Sequence, residues 1–206
     1  MDILLIRHGA TEWSELGKHT GRTDIALTAL GEAQARALGS ELGDYTIVAT
    51  LVSPLQRARR TAELAGLAGL SATYTVVPEL AEVDYGADEG LTTNEIRSKT
   101  PNWNFFRDGP HGGERLDDVA VRCRMVLALV EAIGAKHTAA VRKRPVVACV
   151  AHGHLLRILT AVFLGETAQW GAHLGLGTAS LGLLGYEHGT PALIRWNGET
   201  HLRGVR

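Results

Sequence analysis

The amino-acid sequence predicts an α/β fold, namely a three-layer α/β/α sandwich with a mostly parallel central sheet. Two short apolar runs, residues 3–6 and 146–150, each end just before a segment that contains a His-Gly pair. Continuous apolar runs rich in β-branched residues are typical of strands buried on both faces, as in a parallel sheet. Segments with helical periodicity follow several of these runs, and this alternation indicates a layered α/β domain.

Further apolar runs complete the predicted sheet. Residues 47–52 predict a third strand, and residues 74–77 predict a weaker fourth. Two more strands are expected at 178–186 and 192–196, separated by the turn-like sequence His188-Gly189-Thr190-Pro191.

Four segments predict helices. Apolar residues recur at helical spacing over 28–42 and, most clearly, over 114–134. The pair Ser53-Pro54 predicts the start of a helix that continues to about residue 64, with Ser53 as its N-cap. The sequence Thr92-Thr93-Asn94-Glu95 matches a capping box.

Length and composition limit the class of protein. A chain of 206 residues fits one domain, so we expect a single domain over 1–206 with an excursion at about 85–113 over one end of the sheet. The formal net charge of −1 provides no broad basic surface for nucleic acid. Two cysteines are too few for a disulfide scaffold. Because no secretory or membrane segment is visible, we expect a cytoplasmic protein that does not bind a membrane.

Two histidines stand where a ligand is expected. His8 and His152 each follow a predicted strand, and ligands of parallel α/β sheets bind beyond the carboxyl ends of the strands. Each histidine taken alone is as readily a loop residue that makes only structural hydrogen bonds. Two His-Gly pairs at strand ends, one of them preceded by Arg7, favour a shared pocket if the two strands are neighbours.

Five segments together resemble the histidine phosphatase (phosphoglycerate mutase-like) superfamily in order and spacing. They are residues 5–13, 20–28, 53–62, 82–90 and 151–154. The segment 101–109, together with Glu12-Trp13-Ser14, resembles the acid-phosphatase and sugar-bisphosphatase-like branch. The resemblance covers nearly the whole chain and implies a phosphoglycerate mutase-like fold.

The resemblance implies roles for five catalytic residues. His8 would be the nucleophile that becomes phosphohistidine, Arg7, Arg57 and His152 would bind the phosphoryl group, and Glu82 would be the general acid and base. These residue types suit the chemistry, because guanidinium forks match phosphate oxygens and a neutral imidazole beside them can attack phosphorus. The leaving alkoxide needs a proton, which a carboxylic acid can supply.

The loop after Trp13 is expected to border the substrate. Ser14, Thr20 and Gly21 are candidate substrate-binding residues, although many members of the family carry Asn where Ser14 stands. Lys18, His19 and Arg107 are candidates to meet a second anionic group of the substrate.

Other residues in the matching segments keep two interpretations. Asp84 and Glu89 are rivals of Glu82, but Asp84 is expected to point to the opposite side of an extended segment. Glu89 is expected to hold a loop, with an Arg as its candidate partner. Trp103, Phe105 and Phe106 form either a wall of the pocket or a small core beneath the excursion.

The predicted function is a cofactor-independent phosphomonoesterase that hydrolyses a small phosphorylated metabolite, such as a sugar phosphate, through phosphohistidine. No metal is expected, because no spaced set of ligands occurs. One alternative is a phosphoglycerate mutase, although mutases of the family carry a longer insertion with basic residues after the acidic residue. The other alternative is a non-catalytic phospho-ligand sensor. The resemblance also implies a possible homodimer through a sheet edge.

Overall fold

The computed structural model describes residues 1–71, 73–137 and 145–205. Its strands are β1 (Asp2–Arg7), β2 (Thr46–Val52), β3 (Tyr74–Val76), β4 (Pro145–Ala151), β5 (Leu181–Glu187) and β6 (Thr190–Gly198). They form one sheet in the order β3-β2-β4-β1-β5-β6. The first four strands of this order pair in parallel, and β5 and β6 join antiparallel at one side.

Helices cover both faces of the sheet. They are α1 (Glu12–Glu15), α2 (Ala29–Leu42), α3 (Gln56–Leu64), α4 (Leu67–Leu70), α5 (Thr93–Lys99), α6 (Phe105–Asp108), α7 (Leu116–Ala135) and α8 (Gly153–Phe163). Successive side chains of a strand point to opposite faces, so Leu4 and Ile6 pack with α2 and α3, whereas Ile3 and Leu5 pack with α7 and α8. The predicted three-layer fold is therefore confirmed.

The helix start predicted at Ser53 was wrong. Helix α3 begins at Gln56, and its N-cap residue Leu55 makes no side-chain capping bond. The Ser53 amide instead donates to the Val150 carbonyl oxygen at 3.0 Å, so Ser53 extends the pairing between β2 and β4. Its side chain is fully buried and accepts from the Leu55 amide at 3.3 Å.

The turn of the hairpin predicted near the carboxyl end is shorter than expected. His188 and Gly189 have φ values of 51° and 86°, as the two-residue turns of hairpins require. Thr190 and Pro191 already belong to β6, and the preceding strand begins at Leu181 rather than at 178.

The aromatic residues of the excursion belong to the core. Trp103 is 2% exposed, and Phe105 and Phe106 are each 5% exposed. They lie in the same apolar cluster as the side chains of β1, α7 and α8. The core interpretation is therefore correct, although the cluster is the main core and not a small separate one.

Among the helices in the described ranges, none is long and apolar enough to cross a bilayer.

Two glycines allow α2 to approach the segment that follows β1. A Cβ atom on Gly9 would overlap the backbone of Gly31, and one on Gly31 would overlap the Ala10 carbonyl oxygen. The Thr28 hydroxyl caps the same helix end by accepting from the Gly31 amide at 3.1 Å. This contact places the start of α2 directly behind the segment that carries His8.

Two substitutions in α2 test this contact. We expect Gly31→Ala to destabilise the protein by about 1–3 kcal/mol, because backbone must move to admit the methyl group. Gly39→Ala is the matched control: its Cβ would meet the Ala65 carbonyl oxygen only at an ordinary 3.6 Å. Alanine in a helix interior should stabilise by about 0.5–1 kcal/mol relative to glycine. Urea unfolding of both variants measures the difference, and equal stabilities would show that the approach is not tight.

Candidate active site

The parallel pairing of β1 and β4 brings His8 and His152 together. Arg7 and Ala151, the last residues of the two strands, are partners in the register. The His8 amide donates to the Ala151 carbonyl oxygen at 3.0 Å, and the two imidazole ring centroids are 5.1 Å apart. The condition that the two strands be neighbours is therefore met.

The hydrogen bond of His8 determines which ring nitrogen is free. Nδ1 lies 2.7 Å from the carbonyl oxygen of Gly9. A carbonyl oxygen can only accept, so Nδ1 carries the proton and Nε2 keeps its lone pair. Burial, together with the charges of Arg57 and Arg7, holds the pKa of His8 well below the usual 6.5. The ring is 4% exposed and lines a cavity.

His152 lies in a buried hydrogen-bonded chain with Arg57 and Ser53. Arg57 Nε donates to His152 Nδ1 at 3.2 Å, so Nδ1 is the acceptor. His152 Nε2 therefore carries the proton and donates to Ser53 Oγ at 2.7 Å. Burial, then Arg57, lowers the pKa of His152 well below its usual value. Ser53 thus belongs to the site, a role that was missed because the sequence predicted Ser53 to be a helix N-cap.

Arg57 also holds the loop in front of the site. Its terminal nitrogens donate to the carbonyl oxygens of Thr20, Gly21 and Thr23, each at 3.0 Å. The side chain is fully buried, and neither it nor His152 lies on the cavity wall. Their predicted contact with a phosphoryl group stays a prediction.

The carboxylate of Glu82 meets the amino end of α8. Its Oε1 accepts from the amides of Leu155 at 2.9 Å and Val83 at 3.0 Å, and its Oε2 accepts from the His154 amide at 3.1 Å. The first-turn amides of a helix have no partners within the helix, and a carboxylate there is stabilised by the helix dipole. Glu82 lines the cavity at the side of α8.

The two rival carboxylates lie elsewhere. Asp84 pairs with Arg22 at 2.9 Å and lies outside the cavity lining. Glu89 accepts from the amides of Gly21, at 2.9 and 3.0 Å, and of Thr23 at 3.1 Å. It therefore holds the loop, as expected, but through backbone amides and not through an Arg. The Gly21 amide expected to bind substrate is committed to this carboxylate.

The other two loop candidates, Ser14 and Thr20, border the cavity, and their hydroxyl groups form hydrogen bonds within the protein. Ser14 Oγ accepts from the Thr11 amide at 2.8 Å and donates to the Thr11 carbonyl oxygen at 2.9 Å, which completes the capping of α1. Thr20 Oγ1 donates to the Lys18 carbonyl oxygen at 3.2 Å. Both residues line the cavity.

The cavity itself is small and positively charged. It measures about 180 Å³, and its wall carries the cations Arg7, Lys18 and Arg157. Glu82 is the one carboxylate among the described residues that line it. Arg7 donates Nη1 to the Leu176 carbonyl oxygen, and its buried Nε has no acceptor in the described part of the chain.

Sequence reasoning missed one buried pair. The Tyr85 hydroxyl bonds to Nδ1 of His154, and both side chains line the cavity. Burial raises the pKa of Tyr85 well above its usual value and lowers that of His154 well below. Tyr85 is in a segment that carries the family resemblance, but only the fold brings it against α8. Arg107, by contrast, pairs with Asp108 at 2.7 Å and lies outside the cavity lining.

Comparison with known proteins decides the family. A model of the histidine phosphatase superfamily (branch 1) matches residues 3–199.

The chain belongs to the histidine phosphatase superfamily.

Its relatives in this superfamily include phosphatases and mutases. An acid phosphatase of Mycobacterium tuberculosis is 38% identical over 93% of this chain and 89% of its own length. A probable phosphoglycerate mutase of Photorhabdus laumondii is 31% identical over 97% of this chain and 92% of its own. The solved structure of mycobacterial glucosyl-3-phosphoglycerate phosphatase in complex with VO3 is 32% identical, with a TM-score of 0.84 over 96% of this chain and 99% of that one. Phosphatase is the better supported activity, which confirms the predicted enzyme class.

Among the described residues of this histidine phosphatase, no group of three His, Cys, Asp or Glu side chains is placed to hold a metal ion. Cys123 and Cys149 are buried free thiols, and burial raises the pKa of each to about 12.

The neutral buried histidines predict a pH-dependent stability. His8, His152 and His154 have lowered pKa values in the folded state, so below pH 6.5 the unfolded chain binds protons that the folded chain does not. Unfolding becomes easier as the pH falls, by up to about 1.4 kcal/mol per pH unit for each such histidine. Urea unfolding between pH 7.5 and 5.5, values chosen to bracket roughly the ordinary histidine range, measures this.

One variant isolates the contribution of a single histidine to the pH dependence of stability. His154→Phe retains an aromatic ring beside Phe105, whose centroid is 3.9 Å from that of His154. The variant should show a shallower loss of stability on acidification, whereas the exposed control His173→Gln should follow the unaltered protein. An identical slope for His154→Phe would contradict the assignment of a buried neutral ring.

Proposed function

We propose that this chain is a phosphomonoesterase that acts as one domain and transfers the phosphoryl group of a small metabolite first to His8 and then to water. The observation that carries the proposal is the tautomer of His8. The bond to the Gly9 carbonyl oxygen leaves Nε2 unprotonated on a ring that lines the cavity. Arg7 supports it, because its cationic side chain lines the same cavity and can pair with phosphate oxygens.

In the first step, His8 Nε2 attacks phosphorus and the bond from phosphorus to the ester oxygen breaks. The charge on the phosphoryl oxygens is spread over three atoms, so fixed cationic donors such as Arg7 stabilise the transition state. Arg57 supports the same step by holding the loop of Thr20 and Gly21 and the ring of His152. Burial of these groups means that they need not reorganise during the reaction.

Glu82 is the proposed proton carrier. The negative charge of a bound phosphate opposes that of Glu82 and so favours its protonated form in the substrate complex. The protonated carboxyl gives a proton to the leaving alkoxide, and the resulting carboxylate takes a proton from the water that attacks phosphohistidine. The water oxygen bonds to phosphorus, the bond from phosphorus to His8 breaks, and inorganic phosphate leaves. The amides of α8 hold Glu82 in place through both steps.

The substrate is proposed to be a small phosphorylated metabolite. The mycobacterial relative described above is named for a phosphorylated sugar acid, glucosyl-3-phosphoglycerate. A cavity of about 180 Å³ supports a compact substrate, because sites for drug-sized ligands measure about 300–1,000 Å³. The expected homodimer stays a prediction.

Turnover of p-nitrophenyl phosphate by His8→Ala tests the function. Without the nucleophile the rate should fall by about a thousandfold or more, while the exposed control His173→Ala keeps full activity. Equal rates in the unaltered protein and His8→Ala would remove the mechanism, and no turnover by either would favour a phospho-ligand sensor.

Incubation with 3-phosphoglycerate should release inorganic phosphate; predominant formation of 2-phosphoglycerate would identify a mutase.

Substitution of Glu82 tests the proton carrier. An alkyl phosphate has a poor leaving group that needs a proton, whereas p-nitrophenolate hardly needs one. We expect Glu82→Gln to slow hydrolysis of glycerol 3-phosphate by about 10²–10⁴-fold and to affect p-nitrophenyl phosphate far less. Glu89→Gln is the matched control, because a carboxyl group that only holds the loop should affect both substrates alike. Melting temperatures monitor folding, and parallel losses in Glu82→Gln would assign the proton transfer to another group.

A further inference from the structure

Two cations on the cavity wall have no part in the proposed reaction. Lys18 and Arg157 line the same cavity as His8 and Glu82. The Lys18 ammonium lies 5.6 Å from the centroid of the Trp13 ring, and the Arg157 guanidinium lies 4.4 Å from that of the Phe106 ring. Within the described part of the chain, neither forms an ion pair with a carboxylate, and Glu82 acts on Arg157 only through its charge and without a direct contact.

Arg157 is held in one orientation. Its Nε donates to the Gly171 carbonyl oxygen at 3.0 Å, and one terminal nitrogen donates to the Ala172 carbonyl oxygen at 3.3 Å. The other terminal nitrogen has no acceptor among the described residues. Burial lowers the pKa of Arg157 to about 10; Tyr85 and Glu82 oppose this shift, and the charge of Arg7 adds to it. A guanidinium group that is partly buried and near another cation is stabilised by an anion.

The protein itself supplies little negative charge to this wall. Glu82 is the one carboxylate among the lining residues that the structure describes, and its oxygens accept three backbone N–H groups. A phosphoryl group opposite His8 would pair with Arg7. A substrate whose remaining part is neutral would leave Lys18 and Arg157 without a direct ion-pair partner.

We infer that the substrate carries a second anionic group, a carboxylate or a second phosphate, and that Lys18 and Arg157 bind it. This inference rests on the proposed phosphatase function and assigns its substrate class. The small cavity places the two anionic groups on a compact molecule. Of the residues expected from the sequence to meet a second anion, Lys18 is retained, Arg157 replaces the surface-paired Arg107, and His19 lines the cavity with a pKa lowered by burial.

Two substrate pairs test the inference through kcat/KM for phosphate release. The first pair, 3-phosphoglycerate and glycerol 3-phosphate, differs in a carboxylate; the second, fructose 1,6-bisphosphate and fructose 6-phosphate, differs in a phosphate. We expect that, in at least one pair, the member with the additional anionic group has a kcat/KM about tenfold higher or more. One charge-assisted hydrogen bond provides a difference of this size. The preferred pair shows which anionic group is bound.

Variants connect the preference to these side chains. Arg157→Gln can still donate to a backbone carbonyl but lacks the charge, so it should reduce the preference by about tenfold. Arg157→Lys should keep most of the preference. Arg124→Gln removes an exposed charge on α7 and should leave the preference unchanged. Lys18→Met, on the loop, gives the same readout if Arg157→Gln does not fold.

Three results would overturn the inference. Equal kcat/KM for both members of both pairs in the unaltered protein would show that no second anion is bound. Equal losses for both members of a pair in Arg157→Gln and Lys18→Met would show a purely structural role. Both results leave phosphatase activity intact. Failure to release phosphate from any of the four substrates or from p-nitrophenyl phosphate would instead reject the proposed function, and the inference with it.

Discussion

The site depends on one hydrogen bond, from Nδ1 of His8 to the carbonyl oxygen of the next residue, Gly9. It commits the proton to one nitrogen and leaves a lone pair on the other. The bond requires the backbone of Gly9 to keep its position, and that backbone lies against the start of α2, where Gly31 leaves no room for a side chain on either residue. Packing between a helix and a strand end therefore determines the chemical form of an imidazole.

The groups around His8 are buried because their polar atoms have partners. Arg57 donates to His152 and His152 donates to Ser53, and Glu82 accepts the free amides of α8. Burial without such partners would cost several kcal/mol for a charged group. Nε of Arg7 is a buried donor of this group without an acceptor in the described residues. The arrangement is thus organised before substrate arrives, which is how fixed dipoles lower a barrier.

Much of this architecture follows from local sequence patterns. Apolar runs identified β1, β2 and β4, because strands buried on both faces leave a strong signal, and the five matching segments identified the family. The site residues that were missed depend on contacts across the chain. Ser53 resembles an N-cap until the pairing with β4 gives its side chain to His152. Likewise, the Gly21 amide resembles a free donor until Glu89, 68 residues later, binds it. For Arg157 the sequence leaves open a role in orienting the site or in packing at a helix start, and only the fold places it on the cavity wall.

The most direct test of the account is to locate the phosphoryl group during turnover. Rapid quenching of the enzyme with an activated phosphomonoester at alkaline pH, followed by peptide mass spectrometry, should find a phosphoryl group that is labile to acid on residue 8. Phosphorus NMR of the same sample should assign it to Nε2. A phosphoryl group found on another residue, or its complete absence at every quench time while phosphate is released, would contradict a neutral His8 as the nucleophile.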